Sequence, residues 1–308
     1  MIKSMQDVLD YAKKCPSQKI AVVAPEDESS LLAIQHAIEE DVAEAILVGS
    51  KKLIEDEMKK IGMGFSKVEI LDVADHDSAA KRSVELVHRK EAALLMKGNV
   101  HTDCLLKAVL DKDVGLRKGT IMSHAFAMQS PRYHKLFFLT DVAMNIAPTL
   151  DQKVQILQNV IELVHDIFEV PLAKVAVLGA VETVNPKMPC TYDAACLSKM
   201  SERGQIKHAI VDGPLAFDNA ISSESAKIKG IDSPVAGDPD ILLFPEIESG
   251  NVVYKALMYL ADCQSAGIIL GARAPIVLTS RADDMKTKLN SIALCAIASL
   301  KARERVPV

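Results

Sequence analysis

Short β-branched runs alternate with amphipathic stretches of roughly 10 to 18 residues along the chain, the pattern of βαβ units built around parallel sheets. The fold class this predicts is α/β. Strands are expected at 19–24, 44–48, 67–73, 92–96, 121–128, 135–139, 174–178, 207–211, 241–244 and 267–270. Nearly all are apolar on both faces, as strands covered by helices on both sides must be. Helices fill the intervals, including 77–90 and 151–168. The second follows Ala147-Pro148-Thr149, with Thr149 and Gln152 at capping-box spacing. In the last helix, Leu289, Ile292, Ala293, Ala296, Ile297 and Leu300 recur at helical spacing, so one stripe should face a core. No internal repeat or low-complexity linker marks a boundary.

Composition sharpens the class. With 308 residues, 49% hydrophobic and 25% charged, the chain can bury one large core or two domains of roughly 150 residues each. The longest apolar stretches, 241–244 and 267–270, stop well short of the roughly 20 residues that cross a bilayer. The opening residues, Met1-Ile2-Lys3-Ser4-Met5-Gln6-Asp7, lack the layout of a secretory signal, which predicts a cytoplasmic protein. Six cysteines without a CxxC pair predict free thiols and no metal site. A net charge of −5 and a pI near 5.9 give no basic field for a polynucleotide.

In open α/β sheets, ligands collect beyond the carboxyl ends of strands, so chemistry is sought in those loops. Lys97-Gly98-Asn99-Val100-His101-Thr102 leads from a strand into a helix and offers free amides and a cation to an anion. It also reads as a plain strand-to-helix turn. A second loop places Gly250 and Asn251 at a helix start, where Gly250 would allow close approach of a ligand and Ser249 could be only an N-cap. A third, 275–284, gathers Ser280, Arg281, Asp283 and Asp284 before the final helix. Ser280 and Asp283 also have capping-box spacing. Ser123-His124 and Arg132-Tyr133-His134 add polar groups near strand ends without composing a triad. The chain contains no GxGxxG, Walker A or HExxH motif.

Taken in order, Leu95-Met96-Lys97-Gly98, Asn145-Ile146-Ala147-Pro148-Thr149, Val211-Asp212-Gly213-Pro214-Leu215, Ser233-Pro234-Val235-Ala236-Gly237, the run from Pro245 to Asn251 and the run from Pro275 to Arg281 resemble the phosphate acetyltransferase and phosphate butyryltransferase family. The likeness covers about residue 92 to residue 302. It implies a two-domain, three-layer fold like that of isopropylmalate dehydrogenase, with an active-site cleft between domains. The expected division is 1–118 with 271–308, and 119–270. The acetyl branch carries asparagine-aspartate-leucine before its serine-arginine pair, whereas this chain has Val277-Leu278-Thr279. That departure points to the butyryl branch.

The activity so implied is an acyltransferase reaction, reversible transfer of a short-chain acyl group between coenzyme A and inorganic phosphate, by direct attack in a ternary complex. Ser280 and Arg281 match the family's catalytic serine and phosphate-facing arginine. Where the acetyl branch has its aspartate, this chain has Met285-Lys286-Thr287, so Asp283 or Asp284 would substitute from an earlier turn position. Asp283 is then expected as the base. Lys97, Gly250, Asn251 and Asp284 are the expected substrate contacts. The resemblance implies coenzyme A and phosphate as substrates, no further cofactor, and a homo-oligomer, dimeric or larger. The competing readings are a phosphate acetyltransferase, a dehydrogenase on the same fold, and a non-catalytic CoA-binding subunit.

Overall fold

A computed structural model describes residues 2–280 and 283–304. In chain order the first elements are α1 (Met5–Lys14), β1 (Gln18–Val23), α2 (Glu28–Glu39), β2 (Ala43–Gly49), α3 (Lys51–Ile61), β3 (Val68–Asp72), α4 (His76–His88), β4 (Leu94–Lys97) and α5 (Thr102–Val109). There follow β5 (Ser123–Gln129), β6 (Phe137–Thr140), α6 (Leu150–Phe168), β7 (Ala173–Leu178), α7 (Pro189–Glu202), β8 (Ala209–Leu215), α8 (Phe217–Ile221), α9 (Ser223–Ile228), β9 (Ile241–Leu243) and α10 (Ile247–Leu260). The chain ends with β10 (Gln264–Leu270), β11 (Ile276–Val277) and α11 (Met285–Glu304). Two compact units result, one of Met5–Thr120 with the chain from Ser265 onward, the other centred on Ile121–Gln264.

In the first unit the strand order is β3-β2-β1-β4-β11-β10. All neighbours are parallel except β10, which runs antiparallel to β11. From β1 the chain builds outward through β2 and β3, then returns to the other side of β1 as β4. A topological switch point therefore lies between β1 and β4, where crevices form at the carboxyl ends of strands. The central strands are buried almost throughout, whereas β3 at the edge exposes Glu69 and Asp72. Charges at an edge discourage pairing with another chain. Asp27 and Asp75 cap α2 and α4, each accepting a 2.9 Å bond from the amide three residues on.

The final helix differs from the single stripe that its spacing predicts. From Thr287 to Ile297 all but one residue of α11 are buried, with polar Thr287, Lys288, Asn290 and Ser291 among them. Apolar periodicity misses these positions because their burial is matched by hydrogen bonds. The Ser291 hydroxyl accepts from the Gly267 amide at 2.8 Å and donates to the Thr287 carbonyl at 2.7 Å. A buried hydroxyl with both partners costs little.

In the second unit the order is β5-β6-β9-β7-β8, with β5 antiparallel to β6 and the rest parallel. Its core includes Phe126 stacked on Tyr254 at 3.8 Å between ring centroids. The capping box of α6 forms as its spacing predicts: Thr149 Oγ1 accepts from the Gln152 amide, and Gln152 Oε1 from the Thr149 amide. Strand β8 departs from expectation by continuing through Asp212-Gly213-Pro214 to Leu215. The expected strand stops at 211, but β8 is the last strand in the order, where a proline without an amide donor is tolerated. The pairing with β7 shifts register between Ala176 and Leu178.

Candidate functional site

At the carboxyl edge of the first unit, β1, β4 and β11 lie side by side and release three loops. The β4 loop is locked to the end of β1. Gly98 donates its amide to the Val23 carbonyl at 2.9 Å, and Asn99 donates to the Ala24 carbonyl at 2.8 Å. A Cβ on Gly98 would sit 2.4 Å from the Val23 oxygen and 2.8 Å from that of Ala24. Only glycine lets the two strand ends approach this closely. Lys97, 9% exposed, turns its ammonium onto the Gly98 and Val100 carbonyls at 3.2 and 3.1 Å. The Lys97–Thr102 segment is thus a turn built by backbone locking, with a cation held inside it.

These loops line a half-open cavity of about 110 Å³. Lys97, Gly98 and Asn99 contribute from the β4 loop, Asp27 and Ser30 from the start of α2, Thr279 and Ser280 from the loop after β11, and Lys288 from α11. The sequence-predicted Lys97 and Ser280 are therefore brought together. Asp27, Ser30 and Lys288 are lining residues that sequence reasoning missed, and Lys288 is the least expected of them. Its burial breaks the usual rule for lysine, but no motif or spacing marks it.

The loop that carries Ser280 forms one of the two bonds of a capping box. The Asp283 carboxylate accepts the Ser280 amide at 2.7 Å, and the Asp283 amide donates back to the Ser280 carbonyl at 3.2 Å. Asp283 thereby pins the backbone of Ser280, while Asp284 caps α11 by accepting the Thr287 amide at 2.7 Å. Arg281, predicted beside Ser280, lies outside the described residues.

Gly250 and Asn251 belong to the second unit. There the close approach permitted by Gly250 is taken up by the chain itself, since a Cβ would stand 2.9 Å from both the Asp141 carbonyl and Val142 Cγ1. Asn251 donates to the Val142 carbonyl at 3.0 Å. Both residues hold α10 against the loop after β6. Glu246, not Ser249, caps α10, accepting amides from Glu248 at 2.8 Å and Ser249 at 3.1 Å. Burial pushes the Glu246 carboxyl pKa up, but its hydrogen bonds from Glu248 and Ser249 outweigh that and leave it below the ordinary value.

The remaining polar groups noted in the sequence have structural surroundings. His124 is fully buried in β5, and its amide donates to Asp141 at 3.2 Å. His134 pairs with Asp238 at 2.9 Å. Asp238 also receives Lys174 and Lys135. Burial alone would raise the pKa of Asp238, yet these partners hold it far below the usual carboxylate range. Among the described residues no group of three or more His, Cys, Asp or Glu is placed to hold a metal ion. The six cysteines are free thiols, and among the described residues no helix is long and apolar enough to cross a membrane.

Comparison with known proteins gives this geometry a family. Residues 76–296 match the family model described as "Phosphate acetyl/butaryl transferase". The chain is 47% identical over 300 residues to phosphate butyryltransferase of Clostridium acetobutylicum, covering 97% of this chain and 99% of that one. It is 48% identical over 297 residues to phosphate acetyltransferase of Rickettsia felis, covering 96% and 84%. Among solved structures, a branched-chain phosphotransacylase from Enterococcus faecalis superposes with a TM-score of 0.81 at 30% identity, covering 92% of this chain and 99% of that one. The mixed α/β fold is the one these phosphotransacylases share. With more than half its length matched by the family model and relatives alike over almost their whole length, the chain belongs to the phosphate acetyl/butyryl transferase family, a family of acyltransferases.

Proposed function

We propose that this protein is a phosphate butyryltransferase, catalysing butyryl-CoA plus phosphate to butyryl phosphate plus CoA, reversibly. The observation that carries the reading is the cavity at the switch point of the first unit, where Ser280 and Lys97 meet. A phosphate oxygen attacks the thioester carbonyl, the C–S bond breaks, and the thiolate leaves and takes up a proton. In reverse, a carboxylate accepts the CoA thiol proton, whose ordinary pKa is about 8.5. Ser280 would donate a hydrogen bond to the carbonyl oxyanion, a role typically worth about 3 kcal/mol per donor. Asp283 keeps the Ser280 backbone in place and is the candidate base. Arg281 would face the phosphate, and Asp284 anchors the start of α11 beside that loop. The enzyme works as a cytoplasmic homo-oligomer with CoA and phosphate as substrates and no further cofactor.

A second reading, phosphate acetyltransferase, draws on the relatives of that name at 48% identity. Val277-Leu278-Thr279 before Ser280 favours the butyryl branch. The test is CoA thiol release from butyryl-CoA and acetyl-CoA, with and without inorganic phosphate, in the presence of a chelator. Phosphate-dependent, chelator-resistant release with a higher kcat/KM for butyryl-CoA is expected. Release that favours acetyl-CoA would establish the second reading. CoA bound without phosphate-dependent release would overturn both.

A further inference from the structure

We propose that Lys288, with Lys97, forms the seat for the phosphoryl group, and that Lys288 is the residue by which this enzyme discriminates phosphate binding from acyl-CoA binding; the inference rests on the function proposed above. Both lysines line one cavity, and the residues are only 4% and 9% exposed. A buried cation is costly unless it is paired. Lys97 meets carbonyl oxygens, but Lys288 donates to a neutral hydroxyl, Ser29 Oγ. Among the described residues no carboxylate lies within ion-pair distance of it.

The backbone around Lys288 makes its burial harder still. It is the fourth residue of α11, where the helix dipole is positive and a cation is disfavoured. Asp27, which lines the same cavity, uses its carboxylate to accept the Ser30 amide and cap α2. The cavity is thus lined by two lysines and by one carboxylate that caps a helix through one of its oxygens. Hydroxyls from Ser30, Thr279 and Ser280 complete the lining.

That arrangement is what a tetrahedral oxyanion requires: point charges from lysine and donors from several directions. The volume, about 110 Å³, far exceeds the roughly 10–15 Å³ that admits a single water. A bound phosphate would neutralise the Lys288 ammonium and use the two Lys288 N–H donors that no described residue engages. The competing account makes Lys288 a tie between α11 and α2 through Ser29.

The experiment is steady-state kinetics of wild type, K288M and K288R in both directions, with thermal unfolding measured with and without inorganic phosphate. K288M should raise KM for phosphate and for the acyl phosphate by about 10- to 100-fold, the loss of a hydrogen bond to a charged group. KM for the acyl-CoA and for CoA should stay within about twofold, and K288R should recover most of the loss. Inorganic phosphate should raise the Tm of wild type but not of K288M. A lowered Tm with both KM values unchanged would identify the tie and overturn the seat, as would equal rises in KM for both substrates. If K288M does not fold, K288Q, which keeps a polar end toward Ser29 but removes the charge, takes its place with the same expected and refuting outcomes. If wild type shows no phosphate-dependent CoA release, the proposed function fails, while the phosphate-induced Tm shift still judges the seat.

Discussion

Replacing Gly98 by alanine should damage both stability and turnover, and the size of the effect follows from three distances. The added Cβ would lie 2.4 Å from the Val23 oxygen, 2.8 Å from the Ala24 oxygen and 3.0 Å from the Ala24 carbonyl carbon. All three are backbone atoms of the end of β1, so no side chain can swing aside. Relieving the clash requires β4 and β1 to part by about 1 Å, which lengthens the Gly98–Val23 and Asn99–Ala24 bonds, now 2.9 and 2.8 Å, beyond useful range. Losing two such bonds costs about 2 kcal/mol, and overpacking adds about 1–3 kcal/mol. The expected destabilisation is therefore about 3–5 kcal/mol, a large share of a typical domain's 5–15 kcal/mol. Urea unfolding of G98A measures it, with G64A as control, because a Cβ on Gly64 meets nothing within 4 Å and should be neutral or slightly stabilising. Since Lys97 hangs on the same locked turn, CoA release should fall in folded G98A as well. A G98A protein within 1 kcal/mol of wild type would refute the reasoning, because the strand ends would then be free to adjust.

Two further expectations concern the second unit. Asp141, 3% exposed, accepts the amides of His124 at 3.2 Å and of Ala143 and Met144 at 3.0 Å, and the Asn145 side chain at 2.5 Å. D141A leaves these buried donors without their acceptor and should cost about 3 kcal/mol in urea unfolding; a loss below 1 kcal/mol would mean that water replaces the carboxylate. Asp238 has a depressed pKa in the folded state despite its burial, because Lys174, Lys135 and His134 hold it ionised. Its contribution is therefore present above the unfolded pKa of about 3.9 and lost as pH falls below that value. D238N should be less stable at neutral pH by about 1 kcal/mol, discounted for partial exposure, and the gap should begin to narrow below about pH 4 and go on narrowing as pH falls toward the depressed folded-state pKa. A gap independent of pH would sink the electrostatic account.

The α/β class and most strands were legible in the sequence because buried parallel strands are nearly continuous apolar runs, and β1, β2, β4 and β7 are of that kind. The capping box at Thr149 was legible for a similar reason, since its two hydrogen bonds depend on residues three apart. Legibility failed where tertiary placement overrides local chemistry. Asp212-Gly213-Pro214 has the composition of a turn, yet its position at the end of a sheet lets the strand continue. Two residues at 276–277 form a strand only because Pro275 and its neighbours lie against β4. Nothing in a two-residue run could reveal that.

The candidate site divides along the same line. Lys97 and Ser280 stand on loops that follow strands, so a search restricted to carboxyl ends reaches them, and the family motif adds Arg281. Gly250 and Asn251 were equally visible, but visibility did not determine their use: in the structure their contacts are to Asp141 and Val142 of their own unit. Lys288 shows the opposite failure. It lies inside a helix, three residues past Met285, where a lysine ordinarily reaches solvent. It becomes notable only when the burial of α11 and the position of Ser29 are known. A local pattern can show which groups stand where a ligand could be met. Whether a buried ammonium is left without an ion-pair partner among the described residues is a property of packing between distant segments, here residues 29, 97, 280 and 288. That is why the residue on which the phosphate seat is proposed to rest is the one that local sequence leaves silent.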